Sequence, residues 1–181
     1  LKQEMERFNK LLSIMKLSCA NLCKAIKGEV VMSEELDKMY QSMMNNQVPN
    51  LWAKKAYPSL KPLASWVKDF HERVEFLRDW LANGKPNAYW LSSFFFPQGF
   101  LTAVLQNYAR KNMIPIDELG FSYEFQTFLD HNEVNEAPQD GCYIYGLFTD
   151  GARYDTTTHQ IEDSHPGELY SQAPVIFFVP T

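Results

Sequence analysis

The apolar residues of this sequence change their period near residue 114. Before that point they recur every three or four positions, and after it they alternate. The first period puts a stripe along a helix and the second puts one face of a strand into a core. A sequence that makes this switch once folds as helices followed by strands, the α+β class. We therefore expect a helical part over residues 1–113, with about four helices, and an antiparallel β module over residues 114–181.

The helical signals are consecutive. Leu1, Met5, Phe8, Leu12, Met15, Cys19, Leu22 and Ile26 follow a 4-3-4-3 spacing, which predicts a long first helix ending at Gly28. Ser33, followed by Glu34 and Glu35, marks a second helix start, and Leu36, Met39, Tyr40, Met43 and Met44 give its apolar face. Residues 47–62 hold three prolines and read as an irregular linker. A third helix is expected from about Pro62 to Leu81, striped by Leu63, Trp66, Phe70, Val74, Leu77 and Leu81. Trp90 is expected to share its core. A fourth helix follows from Pro97 to Lys111, after an apolar run from Tyr89 to Phe96.

Strands are expected at Phe121–Phe125, Cys142–Phe148, Ala152–Asp155 and Pro174–Val179, with tight turns at Thr149-Asp150-Gly151 and at His165-Pro166-Gly167. The last strand, with Val175, Ile176, Phe177, Phe178 and Val179, is apolar and uncharged. Unpaired at an open sheet edge it would self-associate.

Charge is divided as sharply as the period. Residues 1–111 carry 16 of the 17 Lys and Arg and 10 of the 22 Asp and Glu, whereas residues 112–181 carry one Arg and 12 acids. Phosphate neutralisation by the acidic half is excluded, and no nucleic-acid partner is expected. The 24 uncharged residues from Pro86 to Ala109 are long enough to cross a bilayer, but Asn87, Pro97, Gln98, Gln106 and Asn107 make insertion costly. No membrane partner is expected either. Three cysteines, an odd and scattered set, fit a reducing compartment. The sequence starts at Leu1 and reads as a processed or excised piece.

Catalytic signatures are missing. Gly84-Lys85 is followed by proline, not by the rest of a phosphate loop, and neither GxGxxG, HExxH nor CxxC occurs. Cys19 and Cys23 lie one helical turn apart without a nearby histidine, so a zinc site is not expected. Asp150 and Asp155 are explained by turn chemistry. No catalytic residue, cofactor or metal is assigned. The feature with a contact character is the linker, where Trp52 and Tyr57 bracket the basic pair Lys54 and Lys55.

Five stretches carry more. They are AIKGEVVMSEEL (Ala25–Leu36), WAKKAYPSLKPL (Trp52–Leu63), WLSSFFFPQGFLTAVLQNYARK (Trp90–Lys111), IPIDELGF (Ile114–Phe121) and DGCYIYGLFTDGARYD (Asp140–Asp155). Together they closely resemble the C-terminal region of dynein heavy chains. The tyrosine-rich segment ending in GARYD resembles the axonemal, ciliary type. Three positions depart from the pattern: Pro97 stands where a small polar residue is expected, Ser93 where glycine is usual, and Tyr154 where tryptophan is usual.

The resemblance implies a non-catalytic cap of a microtubule motor, located in the cytoplasm, on the cytoskeleton of a ciliary axoneme. Its partners would be the ATPase ring of the same heavy chain and, indirectly, other dynein subunits. It would tune the motor without hydrolysing ATP, and the resemblance makes the β module over residues 114–181 barrel-like and incomplete at its C-terminal end, with further strands beyond Thr181. Trp52, Lys54, Lys55 and Tyr57 are the expected ring contact. The competing reading is a free-standing intracellular adaptor whose acidic β module binds a basic partner.

Overall fold

A computed structural model describes residues 1–181. The protein divides into two compact units, Leu1–Ala82 and Asn83–Thr181. The second unit mixes the two element types, with one short strand ahead of its helix and the others after it, so the stretch expected to be helical up to residue 113 already holds a strand.

Four helices make the first unit: α1 (Lys2–Ile26), α2 (Glu34–Met44), the short α3 (Asn50–Ala53) and α4 (Leu63–Asn83). α1 keeps the expected period but not the expected phase. Its buried row is Glu4, Phe8, Leu11, Ser18, Leu22 and Ala25, while Leu1, Leu12 and Ile26 are exposed. Phe8 and Leu22 stay on the seam while other positions move by one, so the seam is turned by less than the roughly 100° of one full residue. Composition misled the reading here, because Ser18 is buried for its hydroxyl, which accepts a bond from Trp52.

α2 starts as expected, with the Ser33 side chain accepting from the Leu36 amide. α3 was hidden by the surrounding prolines, since Pro49 stands just before it and removes no helical hydrogen bond. The start of α4 is closed from outside the helix. The Asn46 carbonyl accepts from the Leu63 amide and its side-chain oxygen accepts from the Ala64 amide. Asn46 adopts the left-handed conformation this requires, with φ of 54°.

The core of this unit is aromatic. Trp66 stacks on Trp52, Tyr57 and Phe70 with ring centroids 6.1, 6.0 and 5.5 Å apart, and Phe8 packs on Phe70 at 5.8 Å. Trp66, Phe70 and Leu77 are buried as expected, whereas Leu81 is exposed. Trp90 belongs to the second unit, where it lies against Gly146.

The second unit combines α5 (Pro97–Asn112) with eight short strands: β1 (Ala88–Trp90), β2 (Phe121–Phe125), β3 (Cys142–Tyr145), β4 (Phe148–Asp150), β5 (Ala152–Asp155), β6 (Gln160–Asp163), β7 (Tyr170–Gln172) and β8 (Ile176–Pro180). A four-stranded sheet has the order β1-β3-β8-β2, and two separate ribbons pair β4 with β7 and β5 with β6. All pairs are antiparallel except β1 with β3. The strands do not close into a barrel, and β1 and β2 are the sheet's edges.

Three sequence expectations change. β8 is not an edge: it pairs with β3 on one side and β2 on the other, so its apolar run is already covered. The expected strand from Cys142 to Phe148 is broken at Gly146, whose φ is 74° and where an added Cβ would lie 2.5 Å from the Trp90 ring. The bend at Gly151 does not fold β4 and β5 into a hairpin; each takes a different partner strand. The hairpin turn lies further on, where Asp155 Oδ1 accepts from the amides of Thr157 and Thr158. Those amides, together with Arg153, hold the Asp155 carboxyl down at about 2.

Cys142, Ile144, Ile176 and Phe178 form the main core of the unit, with Tyr89, Phe100 and Val104 packed on it. Two of the departures from the family pattern are accommodated. Ser93 is fully buried and donates to the Trp90 carbonyl at 2.6 Å, and Pro97 takes the first position of α5. Tyr154 stacks on Phe125 at 4.6 Å.

Candidate functional site

The basic pair sits on a short, tightly anchored arch. α3 turns one residue inward, Trp52, and leads directly into Lys54 and Lys55. The indole N–H of Trp52 donates to Ser18 Oγ at 2.9 Å, which ties the arch to α1. The Lys55 amide donates to the Trp52 carbonyl at 2.9 Å, closing the turn that carries both lysines. Two residues later Tyr57 is again buried. Between these two anchors both lysine side chains are exposed. The four residues expected at the site are therefore brought together, in two roles: Trp52 and Tyr57 face the core as anchors, and Lys54 and Lys55 face outward.

The second anchor rests on charges that sequence patterning did not single out. Tyr57 donates its hydroxyl to Asp69 Oδ2 at 3.0 Å, and the Arg73 guanidinium lies 3.8 Å from the centre of its ring. Arg73 Nε donates to the same Asp69 oxygen at 2.7 Å, and Lys61 Nζ donates to Oδ1 at 2.6 Å. Asp69 is only 3% exposed and Arg73 8%. Asp69 and Arg73 are one turn apart on α4, inside the apolar stripe, so a charged i, i+4 pair among aromatic positions was the available signal.

Burial would push the Asp69 carboxyl up. The bonds from Lys61, Arg73 and Tyr57 outweigh it and hold the group below the usual carboxylate range. Tyr57 moves the other way. Burial raises its hydroxyl well above the ordinary tyrosine value, Arg73 opposes that, and the charge of Asp69 adds to it. At neutral pH the cluster is thus a carboxylate, a guanidinium, an ammonium and a neutral phenol, joined through the carboxylate. It fixes the arch at Tyr57 and at Lys61 and leaves Lys54 and Lys55 as its unpaired cations.

Such an arrangement presents charge from a backbone held at both ends. Burial pushes the Cys142 thiol up to about 12, far from a reactive thiolate at neutral pH. No three or more His, Cys, Asp or Glu side chains converge to hold a metal ion, and no helix is long and apolar enough to cross a membrane.

Comparison with known proteins agrees over all 181 residues. Residues 1–181 match the family described as the C-terminal domain of the dynein heavy chain. Dynein axonemal heavy chain 1 of Rattus norvegicus is 51% identical over 180 residues, 99% of this protein and 4% of the relative. Dynein axonemal heavy chain 6 of Homo sapiens is 48% identical over 99% of this protein and 5% of its own length. Human dynein axonemal heavy chain 3 is 47% identical, with 99% of this protein and 4% of the relative covered. The 181 residues thus span a small fraction of the length of these relatives.

Proposed function

The protein belongs to the family formed by the C-terminal domains of dynein heavy chains, and on that premise we propose that it is the non-catalytic cap of an axonemal dynein heavy chain. It packs on the ATPase ring of the same heavy chain and tunes microtubule-based movement in a cilium or flagellum. ATP turnover belongs to the ring, and other dynein subunits are reached through it. The observation that carries the reading is identity of about half to axonemal heavy chains over 99% of the residues.

Lys54 and Lys55 are the contact towards the ring. Supporting this, they are exposed on an arch whose neighbours on both sides are locked into the core. An anchored backbone loses little conformational freedom when the arch docks, so the ordering cost is confined to the lysine side chains. The second unit, with its excess of acids, takes no part in phosphate binding.

The test is removal of residues 1–181 from the full-length heavy chain. ATP turnover should persist while gliding velocity or stall force changes. Unchanged velocity and force, or a ring that stays assembled yet loses all turnover, would contradict a tuning cap.

A further inference from the structure

The arch carries more than two lysines. From Lys38 to Lys68 the sequence holds five lysines and no acid. Lys38, Lys61 and Lys68 are paired with Glu34, Asp69 and Glu72, so the excess positive charge is concentrated at Lys54 and Lys55. Beside them, between Pro58 and Pro62, Leu60 projects fully into solvent at 104% exposure. An open groove of about 480 Å³ adjoins it, with Asn45, Asn46, Gln47, Ser59 and Lys61 among its lining residues. Asn46 is spent on the start of α4, and Asn45 and Gln47 are the exposed amides beside it.

We infer that this arch is a docking surface for an acidic protein segment that pairs its carboxylates with Lys54 and Lys55 and encloses Leu60 in an apolar socket. The inference rests on the reading of Lys54 and Lys55 as a contact and adds the chemistry of what they meet. Charge complementarity selects carboxylates or phosphates. Leu60 and the amide groove select protein, since phosphodiesters offer no apolar socket. Base stacking is also closed off, because the two aromatic rings of the arch, Trp52 and Tyr57, are buried. A single apolar residue is too little to anchor the protein on a lipid surface.

Zero-length carbodiimide coupling in the intact, full-length motor tests it, because it joins an amine only to a carboxylate already in contact. Peptide mapping should show Lys54 or Lys55 joined to an Asp or Glu outside residues 1–181. That link should be lost in Leu60→Asp and kept in Leu60→Met. Salt should weaken it, since exposed charges are screened beyond about 10 Å at 0.1 M. Amine acetylation in the same motor separates the two readings, with Lys68, 80% exposed, as the internal reference. A link into the ring supports both. A link to another subunit supports the acidic docking partner and overturns the ring contact. Lysines shielded from acetylation without any carboxylate link overturn the acidic partner and leave the ring contact standing. Lysines that acetylate as fast as Lys68, with no link, overturn both.

Discussion

Replacing Asp69 by alanine should do more damage than any other single change to a charged residue of the protein. The carboxylate accepts bonds from Tyr57, Arg73 and Lys61 at 3.0, 2.7 and 2.6 Å. Its removal takes one acceptor from a buried guanidinium and one from a buried phenol. Breaking a buried pair by deleting one partner costs about 3–5 kcal/mol. Lys61 adds little, because its side chain is 51% exposed and its charge returns to water. With a urea slope of about 2 kcal/mol per M, a loss of about 4 kcal/mol lowers the midpoint by about 2 M. Asp69→Asn keeps one acceptor and the volume and should cost less, about 1–3 kcal/mol. The wild-type carboxyl titrates below its unfolded value in the folded state. Its contribution is therefore complete above the ordinary aspartate pKa of about 3.9 and is lost as pH falls through the folded value. Asp69→Asn should remove that part of the acid sensitivity. Urea titrations of the wild type, Asp69→Ala, Asp69→Asn and Lys61→Ala from pH 7 to pH 3 decide the matter. A loss below about 1 kcal/mol for Asp69→Ala, or a Lys61→Ala loss as large as that expected for Asp69→Ala, would refute the reasoning.

Other outcomes follow from the same geometry. Phe70→Ala removes a ring packed against Phe8 and Trp66 and should cost about 3–5 kcal/mol by denaturant titration. Asn46→Ala deletes the side-chain acceptor at the start of α4 and should cost about 1 kcal/mol, seen in the same assay. In native protein at pH 8, alkylation followed by peptide mapping should find Cys23 modified first, the half-buried Cys19 later and Cys142 only on unfolding.

Periodicity carried the element types of this fold and failed on what each element touches. The 4-3 spacing of α1 is real, yet apolarity placed Leu12 inside and Ser18 outside, and the structure reverses both. A serine that accepts from a buried indole cannot be told from a surface serine without its partner, 34 positions away. The β half was legible as strands but not as pairings. Gly146 and Gly151 look alike in sequence, while one breaks a strand under the Trp90 ring and the other passes the backbone between two ribbons. β8 looked like an exposed hazard because its two neighbours, β2 and β3, come from distant segments. At the site, the lysines and their aromatic brackets could be read directly. Asp69 and Arg73 could not, because charged residues in a helical stripe are ordinarily solvated, and only the fold puts Tyr57 and Lys61 beside them.

The most direct test of the account is a microtubule gliding assay on the full-length heavy chain with Lys54→Glu and Lys55→Glu. Both side chains are exposed, so thermal melting of the altered C-terminal region should be unchanged within about 0.5 kcal/mol. The account predicts a changed gliding velocity or force with ATP turnover retained. Velocity and force indistinguishable from the unaltered motor would contradict a contact through this arch.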